Sequence, residues 1–230
     1  PGVVIGSPWP EDGKVYNAVA VLDDGEVKAL RYKVELPNYG VFDELRVFEV
    51  GPLPGPVGFR GLRLGIPICE DIWSARPAAA AKKAGAEVLL NINASPFHVD
   101  KTAERIAVMN ARVQETGLPL AYVNLVGGQD ELEFDGDSMV LNPGAAVQHV
   151  GPSCEEALVP LRLEAGKSGF EFSSLTENFA PEQGEWAVEA EIYQALDRQE
   201  SLGSSESATA AYNEPSNANA AQLVVFSEFI

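Results

Sequence analysis

The chain is short of cysteine, histidine and positive charge, and each shortage removes a class of function. Two cysteines, Cys69 and Cys154, cannot build a disulfide framework. Two histidines, His98 and His149, scattered along the chain with those cysteines, do not make a zinc site, so no metal ligands are assigned. Against 34 acidic residues stand only 16 basic ones, for a net charge of −18. Such a chain repels phosphate backbones and anionic bilayers, which excludes nucleic acid and membrane surfaces as partners. No apolar run approaches the ~18 residues of a membrane span, and no leader-like segment opens the sequence. What is present is ample apolar content, 46% over 230 residues, enough for one domain with a normal core. The expectation is a cytoplasmic globular protein.

The pattern along the chain alternates strands and helices. "YNAVAVLDDGEVKALRYK" reads as a hairpin around an Asp-Asp-Gly turn. A Pro/Gly-rich loop runs from Pro37 to Pro56. In "LRLGIPIC" the alternation of Leu62, Leu64, Ile66 and Ile68 predicts a strand. "ARPAAAAKKAGAE" predicts a helix with Pro77 in its first turn, and "VLLNIN" a buried strand. Asp100 is placed to cap the helix "KTAERIAVMNARVQETG", which Gly117 ends. "LAYVNLV" and the segments around the Asn-Pro-Gly turn of "ELEFDGDSMVLNPGAAVQHV" predict further strands. This order implies a mixed sheet covered by helices, an α/β class. Residues 198–221, rich in Ser, Ala, Asn and Glu, read as a low-complexity linker between a domain of residues 1–197 and a strand-like tail, 222–230.

The chemistry centres on "GIPICEDIW", where Cys69 sits between an apolar run and two carboxylates. It admits two readings. Free cysteine is among the most buried residue types and packs as a small hydrophobe. A cysteine where a strand ends and a helix begins also has backbone N–H groups nearby, which favour the thiolate. Glu70 and Asp71, as first-turn acids, are expected to be structural.

"GIPICEDIW", with "KVELPNYGVFDELRVFEVG" before it and "NINASPFHVDK" and "YVNLVGGQDELEFDGDSMVLN" after it, resembles the nitrilase-like glutaminase domain of glutamine-dependent NAD synthetases. The resemblance spans about residues 1–197 and implies a nitrilase-like α-β-β-α sandwich, incomplete at its N-terminal side. It implies hydrolysis of L-glutamine by a Cys–Lys–Glu mechanism, with Cys69 as nucleophile and Lys33 as the ammonium that stabilises thiolate and oxyanion. It places Tyr39, Ser95 and Lys101 on the substrate and Glu44 beside Lys33. Bland alternatives stand beside each: Lys33 as a solvated strand-end charge, Ser95 as a turn hydroxyl, Tyr39 as a packed loop aromatic, Glu44 as a surface carboxylate. The family's complete enzymes pack into homo-oligomers and carry a synthetase domain that uses ATP and deamido-NAD. "VGGQDEL" mimics that domain's phosphate loop but lacks its hydroxyls and its following helix, so no cofactor is expected for this chain.

The family's general base is a glutamate early in the domain, after a Val-Val-Phe-Pro-Glu-like strand, and the sequence begins beyond that point. Its last residues, "LVVFSEFI", look like the missing segment, with Glu228 in the place of the base, within reach of Lys33 or Cys69. The alternative is an unrelated apolar tail. Two rival functions follow: a stand-alone carbon–nitrogen hydrolase acting on another amide, and a catalytically inactive fragment. Ammonia release from glutamine and from simple amides separates all three.

Overall fold

A computed structural model of the chain describes residues 2–149, 151–166, 169–174 and 223–226. The segment read as a linker, 198–221, lies outside the described residues, as does Glu228, and only part of the strand-like tail lies within them.

Two sheets stack face to face. The first is built from β1 (Gly2–Glu11), β2 (Lys14–Asp23), β3 (Glu26–Tyr32) and β14 (Leu223–Phe226), in the order β14-β1-β2-β3. The second has six strands in the order β11-β10-β7-β6-β5-β4, from β4 (Val57–Phe59), β5 (Leu62–Gly65), β6 (Val88–Asn93), β7 (Leu120–Asn124), β10 (Met139–Leu141) and β11 (Gln148–His149). Hairpins β8 (Val126–Gln129) with β9 (Leu132–Asp135) and β12 (Leu161–Ala165) with β13 (Phe170–Ser174) stand apart from both. The predicted β2–β3 hairpin is present, with Asp24 and Gly25 both at positive φ as a tight primed turn requires.

The core lies between the sheets. Val4, Val19 and Val21 from the first face Leu64, Val88, Leu90 and Ile92 from the second. Residues of the opposite parity in the first sheet, Val3, Ile5, Ala20 and Leu22, cluster on its other face. The two α-helices among the described residues, α1 (Ala75–Lys83) and α2 (Lys101–Thr116), cover the six-stranded sheet, packing Ala78, Ala81, Met109 and Val113 on Leu89, Leu120 and Tyr122.

Two local expectations need correction. The run "LRLGIPIC" is ladder-bonded only to Gly65, because Pro67 has no N–H to donate; Ile68 rejoins the sheet through a single bridge to Ile92. Asp100 does not cap α2: it takes a left-handed conformation, φ 67°, and makes no side-chain cap bond. Gly117 ends that helix in the left-handed region as expected.

Candidate active site

Three chain segments converge where the sheets meet. Lys33 directly follows β3, and its backbone is held on both sides: its N–H donates to the Asn17 carbonyl and its own carbonyl accepts from Gly51, each at 2.8 Å. Gly51 is required there, since a Cβ would lie 2.5 Å from the Tyr32 Cβ and 2.9 Å from the Lys33 oxygen. The Lys33 side chain is 1% exposed, and its Nζ donates to Glu44 Oε1 at 2.6 Å. Glu44 opens a short 3-10 turn, Glu44–Arg46, in the long loop, and its Oε2 accepts from Asn17 Nδ2 at 3.3 Å.

Cys69 opens a second 3-10 turn, Cys69–Ile72, at φ 43°. For a residue with a Cβ this conformation costs roughly 1–2 kcal/mol. It turns the thiol out of the strand direction at an elbow, where the Ala94 N–H meets the sulfur. Lys33, Glu44, Asn17, Cys69 and Ala94 all border one cavity of about 350 Å³, whose apolar wall includes Phe42, Phe48 and Phe134.

The electrostatics of this centre differ from the sequence expectation. Burial pushes the Cys69 thiol up, and although Lys33 and the Ala94 N–H act against it, the net shift is upward. Four residues of 3-10 turn carry too small a dipole to reverse the desolvation. Desolvation at this position thus favours the protonated sulfur over the thiolate. Burial alone would lower the Lys33 ammonium, but the Cys69 sulfur when ionised, Glu44 in direct contact and Asp71 all favour the charged form, and the net shift is upward.

The other residues singled out in the sequence lie around this centre and are not among those bordering the cavity. Tyr39 donates its hydroxyl to Glu70 Oε1 at 2.7 Å, and burial followed by that bond raises its phenol. Lys101 holds Glu104 at 2.8 Å and lies 4.2 Å over the Trp73 ring. Ser95 is buried, its hydroxyl and carbonyl both accepting from Arg105 Nη2 and its N–H donating to Asn124. Glu228 falls outside the described residues.

Sequence reasoning missed three contributors. Asn17 interrupts the apolar run "VYNAVAVL", a signal that one polar side chain faces inward. Arg105 sits on the same face of α2 as Met109 and Val113, fully buried and paired with Asp135 at 2.9 Å. Asp71, expected to be structural, has its carboxylate wholly enclosed, a burial that the short motif does not reveal.

Among the described residues no group of acidic, histidine and cysteine side chains is arranged to hold a metal ion. Nor is any described helix long and apolar enough to cross a membrane. The "VGGQDEL" segment is a β8–β9 hairpin and leads into no helix.

A glutamine-dependent NAD(+) synthetase of Rhodobacter capsulatus is 48% identical over 166 residues, 72% of this chain but 30% of that protein. One from Xanthomonas campestris is 41% identical over 173 residues, 74% of this chain and 31% of its own length. The chain thus spans about a third of the length of these relatives. The solved glutamine-dependent NAD+ synthetase of Acinetobacter baumannii superposes with TM-score 0.69 at 36% identity, over 84% of this chain and 36% of that one. An amidase from Nesterenkonia sp. AN1, carrying acrylamide at its active-site cysteine, superposes with TM-score 0.56 at 31% identity, over 64% and 57%. The fold is nitrilase-like. The carbon–nitrogen hydrolase family model matches residues 1–159, and to that family this chain belongs.

Proposed function

We propose that the chain is an amidase that releases ammonia from L-glutamine, the glutaminase part of a glutamine-hydrolysing NAD synthetase. The observation that carries it is a buried Lys33 ammonium, held by Glu44, bordering the same cavity as a cysteine on a strained elbow. The Cys69 sulfur attacks the side-chain amide carbon, forming a C–S bond while its proton passes to the base. Lys33 and the Ala94 N–H stabilise the tetrahedral oxyanion. The base returns the proton to nitrogen as the C–N bond breaks, and ammonia leaves. Water, deprotonated by the same base, then hydrolyses the thioester to glutamate. The ammonia would serve the amidation of deamido-NAD by a synthetase that uses ATP.

Glu228 is the proposed base. Strand β14 runs parallel to β1, with Phe226, Ile5, Ala20 and Leu30 in register across the sheet. β14 and β3 therefore point the same way, towards the sheet end where Lys33 emerges. Parity sets a condition on this role. Val225 packs towards the inter-sheet core, so in a regular strand position 228 would take the opposite face. Glu228 serves as base only if the chain departs from strand geometry after Phe226.

Tyr39, Ser95 and Lys101 are the proposed glutamine contacts. A free amino acid offers a carboxylate that Lys101 can take in exchange for Glu104. A second reading, an amidase for simpler amides, is favoured by the separation of these residues from the cavity lining. Ammonia release from glutamine and from acetamide, propionamide and asparagine separates the two. Glutamine as the preferred substrate supports the first reading; equal rates support the second. Cys69→Ala should abolish release while leaving the fold intact, and near-normal release from that variant would remove Cys69 as nucleophile.

A further inference from the structure

Asp71 is 1% exposed, and its carboxylate is spent on backbone N–H groups of two separate segments. Oδ1 accepts from Val34 and Glu35 at 3.0 and 2.8 Å, and Oδ2 accepts from Ile68 at 3.0 Å. Val34 is the residue after Lys33, and Ile68 is the residue before Cys69. One side chain thus ties the segment that carries the ammonium to the segment that carries the sulfur. A first-turn acid complementing its own short turn has no need of the Val34 and Glu35 donors.

We infer that Asp71 is a positioning residue that sets the separation between the Lys33 ammonium and the Cys69 sulfur. The inference rests on the amidase reading for its consequence in catalysis. Burial pushes the Asp71 carboxyl up to about 6, against the opposing pull of its three backbone donors and Lys33. A buried carboxylate is costly to keep, and here its two oxygens match donors from both segments at once. Asparagine cannot replace it. Its NH2 would face a backbone N–H on one side, and one segment would be released.

Iodoacetamide alkylation of Cys69 across pH tests this in the full chain, with Cys154→Ala leaving a single thiol. Asp71→Asn should slow alkylation at pH 8 by about threefold or more and move the profile to higher pH, because Lys33 recedes from the sulfur. A direct charge effect has the opposite sign, since removing a neighbouring anion eases ionisation of a thiol. In a Lys33→Met background the shift should vanish. An unchanged profile, a shift to lower pH, or an equal upward shift without Lys33 would each overturn the inference. If circular dichroism shows Asp71→Asn to be unfolded, Asp71→Glu keeps both acceptors on a longer arm and is read by the same criteria. Alkylation needs no glutamine, so it decides the role of Asp71 even if the wild-type chain releases no ammonia. Where ammonia is released, Asp71→Asn should lower kcat about tenfold and leave KM within about twofold.

Discussion

Lys33 and Lys101 each hold a glutamate within 3 Å, yet the two pairs are built for different work. Lys33 is 1% exposed and Glu44 15%, and each is held by further bonds from the fold. Lys101 is 29% exposed, Glu104 58%, and they sit one helical turn apart on α2 with only the Trp73 ring beneath the ammonium. Breaking a buried pair strands a desolvated charge, so Lys33 is not free to swing. An exposed pair is nearly neutral in free energy, so Lys101 can trade its partner for an incoming anion at little cost. A fixed charge suits an oxyanion that exists only transiently; an exchangeable charge suits a carboxylate that arrives with the substrate.

Lys33→Met should break the comparison most severely. It keeps much of the apolar stem and removes the ammonium, so kcat should fall by about two to three orders of magnitude with little change in KM. Steady-state ammonia release measures it, and a change confined to KM would make Lys33 a binding residue. Glu44→Gln comes next. A neutral amide still accepts from Lys33 but loses the charge-assisted part of that bond, so kcat should drop roughly tenfold. No drop would make Glu44 a bystander. Lys101→Ala should raise KM for glutamine about tenfold, with kcat within about twofold, because the substrate carboxylate is held equally before and at the transition state. Its melting temperature should not move. A collapse of kcat there would erase the distinction between the two lysines. Cys154→Ala should change neither activity nor stability, since that thiol is exposed in a loop away from the cavity. A large loss would mean that the reactive cysteine had been misassigned.

Much of the scaffold was legible from local pattern. The Asp24-Gly25 turn, the alanine-rich helix, the buried run "VLLNIN" and the Gly117 stop each depend on nearby residues and formed as read. That Cys69 lies between a strand and a helix was legible too, although the strand stops at Gly65. Its ionisation was not, because burial is a property of the packed sheets rather than of the nine-residue motif. For the same reason Asp71 looked like a helix-dipole acid: its partners Val34 and Glu35 are brought to it by β3, across more than thirty residues of sequence. Arg105 was hidden by its own helix, where an arginine on an apolar face reads as a solvated charge until Asp135 arrives from β9.

The parallel pairing of β14 with β1 has a kinetic consequence. Residues 2–5 and 223–226 meet across about 220 residues of chain, whereas β1 and β2 are joined by a turn at Asp12 and Gly13. Pairing segments so far apart in sequence costs chain entropy, to be regained from a four-residue ladder. β14 is then the last strand to seat and the first to detach. Each detachment would bare the edge of β1, an unpaired row of backbone groups that a strand from a neighbouring molecule could fill. Protein concentration, rather than any ligand, would then decide whose strand completes each sheet.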